Sequence, residues 1–311
     1  MMSSVRIGDR VVVRRAAGII DGRQRYTDVL GELLDDSGGY TVRRDDGEVV
    51  TIPAAEVAAA KAIPPKPTPF SAIIAVERGC ADTWPAPEQE WLGDWLLRAG
   101  SGWTYRANSV LPLGEPGLDL DAALAKVTDW YTARALAPAF AVPVPLSRRL
   151  ATALTRRGWR SDAPVEVMTA PLSALSGEAA EVTVTDKPGE EWFAMATGGY
   201  DRVPDAARAI LGSGDDRGFA EIRRDGRLIA CGRGAISGGL AVLSRIEVDT
   251  SVRRQGLGRQ VMAGLAAWAG DRDADTACVQ VVSTNGVALA LYEKLGFTVH
   301  HRYVNLVPPL A

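Results

Sequence analysis

The chain has 311 residues, 47% hydrophobic and 23% charged, a globular balance that allows about two or three domains and excludes an intrinsically disordered protein. Its net charge of −3 excludes a polycation built to coat nucleic acid. Three dispersed cysteines (Cys80, Cys231, Cys278) and two adjacent histidines (His300, His301) supply neither a disulfide framework nor the usual zinc ligands, so no metal is expected. The N-terminus lacks the apolar core of a signal peptide, and no uncharged apolar run approaches the roughly 18 residues of a membrane span. A soluble cytoplasmic protein is expected, with no membrane and no nucleic-acid partner.

From residue 5 to about 57 the pattern is of short strands at 9–15, 29–34, 40–44 and 48–52, with Asp46-Gly47 as a hairpin turn between the last two. About five short strands in so small a segment predict an SH3-like barrel over 1–62, which has the character of an interaction or packing module. A helical turn or two is expected within 54–62. Four prolines within 63–69 then predict a stiff linker.

Residues 70–175 predict alternating helices and strands: helices at 87–99, 120–136 and 146–157, strands at 103–111, 139–144 and 164–170. Trp84, Trp91, Trp95, Trp103, Trp130 and Trp159 are expected in the core of this α/β segment. Residues 176–311 continue with a strand at 181–184, helices at 190–197 and 204–211, and a hairpin of 219–223 with 228–236 about Asp225-Gly226. A strand at 240–248, a helix at 258–269, a strand at 277–282, a helix at 287–294 and a closing strand at 297–306 complete the pattern.

The strand 240–248 runs into Asp249-Thr-Ser-Val-Arg253-Arg254-Gln255-Gly256-Leu257-Gly258-Arg259 and then directly into a helix. Such a loop aims successive free N–H groups and the positive end of a helix dipole at one point. Gly256 and Gly258 would let phosphates approach the main chain, and Arg253, Arg254 and Arg259 add positive charge. The glycine spacing fits neither a Walker loop nor a dinucleotide fingerprint. A second motif follows the strand 277–282: Asn285-Gly-Val-Ala288-Leu-Ala-Leu291-Tyr292-Glu-Lys-Leu-Gly296-Phe297. Ala288 and Tyr292 fall on one helical face, and Gly296 ends the helix.

Together the two motifs resemble those of the Gcn5-related N-acetyltransferases, over about 181–311. The resemblance implies a mixed central sheet with flanking helices and a site for acetyl-CoA as co-substrate. Residues 253–259, that is Arg253, Arg254, Gln255, Gly256, Leu257, Gly258 and Arg259, would hold its pyrophosphate. Main-chain groups of Ile246 and Val248 would pair with its pantetheine arm, and a backbone N–H near Val248 would polarise the thioester carbonyl. Tyr292 would protonate the departing thiolate. Asn285 either contacts the CoA arm or caps its helix. The acceptor would be a primary amine, on a small molecule or on a protein.

Glu247 is the candidate general base, with a surface or salt-bridging role beside Arg245 as its alternative. Simple alternation puts Val242, Ser244, Ile246 and Val248 on one face, and Leu243, Arg245 and Glu247 on the other. By the same rule His300 and His301 should point to opposite faces. The segment Leu154-Thr-Arg-Arg-Gly158-Trp159 echoes Leu291–Phe297 in sequence but has no phosphate loop. Residues 70–175 therefore resemble a degenerate acetyltransferase half that shapes the acceptor site. Such a tandem behind a small barrel resembles an actinobacterial acetyltransferase group, in which the barrel would offer a surface for a protein partner or for self-contact. An acyl-CoA sensor or scaffold without turnover is the alternative function.

Overall fold

The computed structural model describes residues 5–64, 66–198 and 203–309 and comprises two compact units, Met1–Pro67 and Thr68–Ala311. Pro65 of the proline-rich segment lies outside the described residues.

In the first unit, β1 (Arg10–Ile20), β2 (Arg23–Asp35), β3 (Gly39–Arg44), β4 (Val49–Pro53) and β5 (Val57–Ala62) form an antiparallel sheet in the order β4-β3-β2-β1-β5. Alternate residues Val11, Val13, Val29, Leu33, Val42 and Ile52 supply its core, as expected of a small barrel-like domain. β1 and β2 are longer than anticipated because Asp21 and Gly22 both take positive φ (51° and 70°) and close a tight hairpin. Within 54–62 the helical expectation fails after one 3-10 turn at Ala54–Glu56. β5 then pairs with β1, where tertiary pairing overrides the helix preference of an alanine-rich stretch.

The second unit opens with α1 (Phe70–Asp82), which buries Ile73, Glu77 and Cys80. It continues through β6 (Glu88–Leu92), β7 (Trp95–Ala99), β8 (Leu111–Pro112), α2 (Leu120–Thr132), β9 (Phe140–Pro143), α3 (Arg148–Arg156), β10 (Arg160–Ser161) and β11 (Val165–Pro171). The predicted helix at 87–99 is a hairpin instead. Gly93, at φ +57°, reverses the chain, and Trp95 is 2% exposed while Trp91 is 50% exposed, so Trp91 is not a core residue. The predicted strand at 103–111 is a loop with a 3-10 turn at Tyr105–Ala107, ending in the short β8.

There follow β12 (Val182–Thr185), α4 (Glu190–Ala196), α5 (Asp205–Leu211), β13 (Arg217–Arg224), β14 (Arg227–Ser237), β15 (Leu240–Val248), α6 (Leu257–Gly270), β16 (Thr276–Val282), α7 (Gly286–Lys294) and β17 (Thr298–Val307). One large mixed sheet runs β10-β17-β11-β16-β15-β14-β13-β12, with β9 also paired to β17. β11 is inserted between β16 and β17, antiparallel to both. β15 and β16 are parallel and stay in register only over Leu240↔Thr276, Ala241↔Ala277 and Val242↔Cys278. Beyond that point the two strands separate. α6 packs on one face of this region through Val261, Met262 and Leu265; on the other, Cys80 of α1 packs with Val242 and Cys278.

Candidate functional site

β15 is interrupted where the site begins. Ser244 pairs with Arg233 of β14 and Glu247 with Cys231, so β15 carries one residue more than its partner over this stretch. The bulge centres on Arg245, at φ +53°. It resets the alternation and overturns the simple period-2 reading. Ala241 and Leu243 before it, and Ile246 and Val248 after it, all pack on the α6 side. Val242, Ser244 and Glu247 therefore share the opposite face.

After β15, Asp249 accepts hydrogen bonds from the Ser251 N–H (2.9 Å) and hydroxyl (2.6 Å) and pairs with Arg227, fixing a 3-10 turn. The chain then reaches Gly256, the N-cap of α6, at φ +81° with no side-chain cap. The first N–H groups of α6 are thus left for a ligand. Gly256 is required by its left-handed conformation. At Gly258, in the slot between β15 and α7, a Cβ would meet Ile246, Val248 and Leu291 at ordinary contact distance, each 3.8 Å.

A cleft of about 780 Å³ lies in this slot. Its walls include Ile246, Glu247, Val248, Arg253, Arg254, Gly256, Leu257, Gly258, Arg259, Asn285 and Tyr292. Gln255 is not among its lining residues and accepts a hydrogen bond from Arg224 (3.0 Å). Arg253 donates to the Val248 carbonyl at 3.2 Å, and Arg253, Arg254 and Arg259 have no carboxylate partner among the described residues. Three cations, glycine-lined backbone and an open helix N-terminus together suit a pyrophosphate. No group of metal-ligating side chains occurs among the described residues.

Asn285 caps α7, its side-chain oxygen accepting from the Ala288 N–H at 3.2 Å, and it also lines the cleft. Tyr292 packs against Phe297, ring centroids 5.6 Å apart, and against the α6 core. Burial raises its pKa, opposed by the charge of Arg106 and assisted by Glu247. Burial also raises the pKa of Glu247, against the pull of Arg245 and Arg253. A carboxylate that accepts protons more readily than usual thus stands near a phenol that keeps its own.

On the opposite face, Trp84 is buried in the core as expected and Trp103 packs against it. Trp84 and Trp103 stack at 6.0 Å, with Arg106 over Trp84 (4.8 Å) and Arg245 over Trp103 (4.9 Å). Arg233, fully buried, donates to the carbonyls of Leu211, Thr83 and Ser213 at 2.8–2.9 Å and ties this wall together. His301 is buried and bonded through Nε2 to Glu77 Oε1 (2.7 Å), and its Nδ1 meets Nδ1 of His300 (2.7 Å). The two histidines do not diverge because β17 bulges at His300. The only sequence signal for this cluster was the aromatic density between residues 84 and 103.

The C-terminal family profile described as "Probable histone acetyltransferase Rv0428c C-terminal" matches residues 70–306, and that of the "Rv0428c N-terminal Sm-like domain" matches residues 5–61. A Mycobacterium tuberculosis protein named "Probable histone acetyltransferase Rv0428c" is 31% identical over 97% of this chain and 95% of its own. A Bacillus subtilis protein, "Uncharacterized N-acetyltransferase YobR", is 28% identical over 73% of this chain and 94% of its own. Among solved structures, a GCN5-related N-acetyltransferase from Kribbella flavida superposes with a TM-score of 0.59 at 19% identity, covering 76% of this chain and 96% of that one. Its likeness is one of fold. Among the described residues no helix is long and apolar enough to cross a membrane.

Proposed function

Because the chain belongs to the Rv0428c acetyltransferase family, a group of Gcn5-related N-acetyltransferases, we propose that it transfers an acetyl group from acetyl-CoA to a primary amine by direct attack. The observation that carries this reading is the uncapped N-terminus of α6, which opens on the cleft where β15 leaves β16. Arg253, Arg254 and Arg259 balance the pyrophosphate charge, while Gly256 and Gly258 leave room for it. The edge of β15 at Ile246 and Val248, no longer paired with β16, receives the pantetheine arm in the manner of an added strand. Acetyl-CoA supplies an activated thioester carbonyl.

Glu247 takes the proton from the incoming amine, a role suited to a carboxylate whose burial raises its pKa. A backbone N–H near Val248 polarises the carbonyl oxygen. Tyr292, whose burial keeps the phenol protonated, gives its proton to the leaving thiolate. Residues 70–175 wall the acceptor side. The histone named for the Mycobacterium tuberculosis relative makes a protein lysine one acceptor to test, and a small-molecule amine the other.

Calorimetric titration with acetyl-CoA, followed by an amine panel monitored by free thiol release, tests the proposal. Binding with turnover supports it. Binding without turnover on a broad panel favours an acyl-CoA sensor, and no binding at millimolar acetyl-CoA rejects both.

A further inference from the structure

The face of the sheet opposite the cleft carries polar groups that the fold itself leaves unanswered. Past the last parallel pair, Val242↔Cys278, the next residues on that face are Ser244 of β15 and Gln280 of β16. Ser244 Oγ and Gln280 Oε1 are both buried without a hydrogen-bond partner, and so is Nε1 of Trp84, a residue only 2% exposed. Arg106 lines a small cavity together with Gln280 and Tyr303, and stacks on Trp84. It has no carboxylate partner among the described residues. Glu77, the acid bordering the same cavity, is engaged by His301 Nε2 at 2.7 Å. Buried donors and an uncompensated cation are costly unless something else completes them.

These groups describe what they would accept. Trp84 Nε1–H and the Ser244 hydroxyl are unpartnered donors, the Gln280 amide can turn its NH2 as a further donor, and the Arg106 guanidinium over the Trp84 ring adds positive charge, a set of groups that suits a carboxylate. The positive charge of Arg106 extends to the hydroxyls of Tyr292 and Tyr303, where it opposes the effect of burial. Arg245 and Arg253 act on Glu247, and Arg106 acts on Tyr292 beside it. A lysine-rich peptide entering here would bring like charge to like. A molecule with an anionic group beside its amine would be drawn in and oriented.

Resting on the transfer reading above, we propose that the acceptor is a small molecule bearing a carboxylate next to its amine, and that Arg106 is the specificity-determining residue that binds this carboxylate.

The test compares α-amino acids with their α-amides and with lysine-containing peptides, reading kcat/KM from thiol release in the wild type, Arg106→Gln and Arg106→Lys. Acetyl-CoA binding is first checked by calorimetry in all three proteins. The expected result is at least a tenfold preference for the carboxylate member of the best pair, lost in Arg106→Gln mainly through KM and partly kept in Arg106→Lys. Preference for amides or lysine peptides, an unchanged preference in Arg106→Gln, or no carboxylate-bearing amine that is acetylated or competes, overturns the proposal. Failure of the wild type to bind acetyl-CoA overturns the transfer reading, and this one with it. Amide preference with intact acetyl-CoA binding overturns this one alone.

Discussion

Glu247 stands directly opposite Cys231 across the β14–β15 pair, a position it reaches because the bulge at Arg245 inserts one residue before it. Without that residue its carboxylate would turn toward the α6 core. With it, the carboxylate is half-buried on the face away from α6, and burial raises its pKa. As pH falls through this raised pKa the base becomes protonated and the rate should fall, at a pH above the ordinary carboxylate range. Glu247→Gln should lower kcat/KM by about 10²-fold or more and flatten that acid limb. A pH–rate profile of both proteins checks this, and a limb that persists in Glu247→Gln assigns the titration elsewhere.

Tyr292 should separate chemistry from binding. Tyr292→Phe keeps the ring that packs on Phe297 and removes only the hydroxyl proposed to donate the proton. We expect kcat to drop about 10²-fold with acetyl-CoA affinity nearly unchanged by calorimetry. A large loss of affinity would mark the hydroxyl as a binding group.

The helices α2 and α6 begin differently. Asp119 caps α2 by accepting from the Ala122 N–H at 3.0 Å, whereas Gly256 leaves α6 without a side-chain cap. A carboxylate already occupies in α2 the place that an anion would take. Titration should therefore give one acetyl-CoA per chain. Gly256→Val, which forces a β-branched residue to φ +81° at a cost of about 1–2 kcal/mol, should abolish that single binding event. Two sites per chain, or unchanged affinity in Gly256→Val, would contradict the assignment of the loop.

Arg233 has a structural role that denaturation can measure. Its three hydrogen bonds reach the end of α1, the end of α5 and the segment just beyond it. Arg233→Met would strand three carbonyls, and we expect a loss of about 3 kcal/mol or more, read as a lower denaturant midpoint at an unchanged slope. A midpoint that hardly moves would show that water or neighbouring donors replace the guanidinium.

How far the sequence could be read depended on whether the relevant chemistry was local. The Gly256 and Gly258 loop, the Asn285 cap and the strand 240–248 are set by residues within a few positions of one another, and they stood out. The bulges at Arg245 and His300 did not, because an inserted residue leaves the run of residue types looking regular while reversing every side chain beyond it. The spacing of Trp91, Trp95 and Leu96 suits a helix as well as a hairpin, and only burial separates the two. Trp84, Trp103 and Arg106 meet β15 and β16 through tertiary folding, so beyond the aromatic density of 84–103 nothing near them in the chain marks the wall they form.

The insertion of β11 between β16 and β17 has a consequence for the life of the whole chain. Residues 165–171 are made long before the strands they separate, so the last sheet closes around a piece that is already waiting. A polypeptide cut at 175 would leave a seam with two bare strand edges, prone to capture a stray strand from another molecule. The region from Thr68 onward is thus interlocked: its later part cannot be transplanted, nor its earlier part discarded, without a replacement for that one strand.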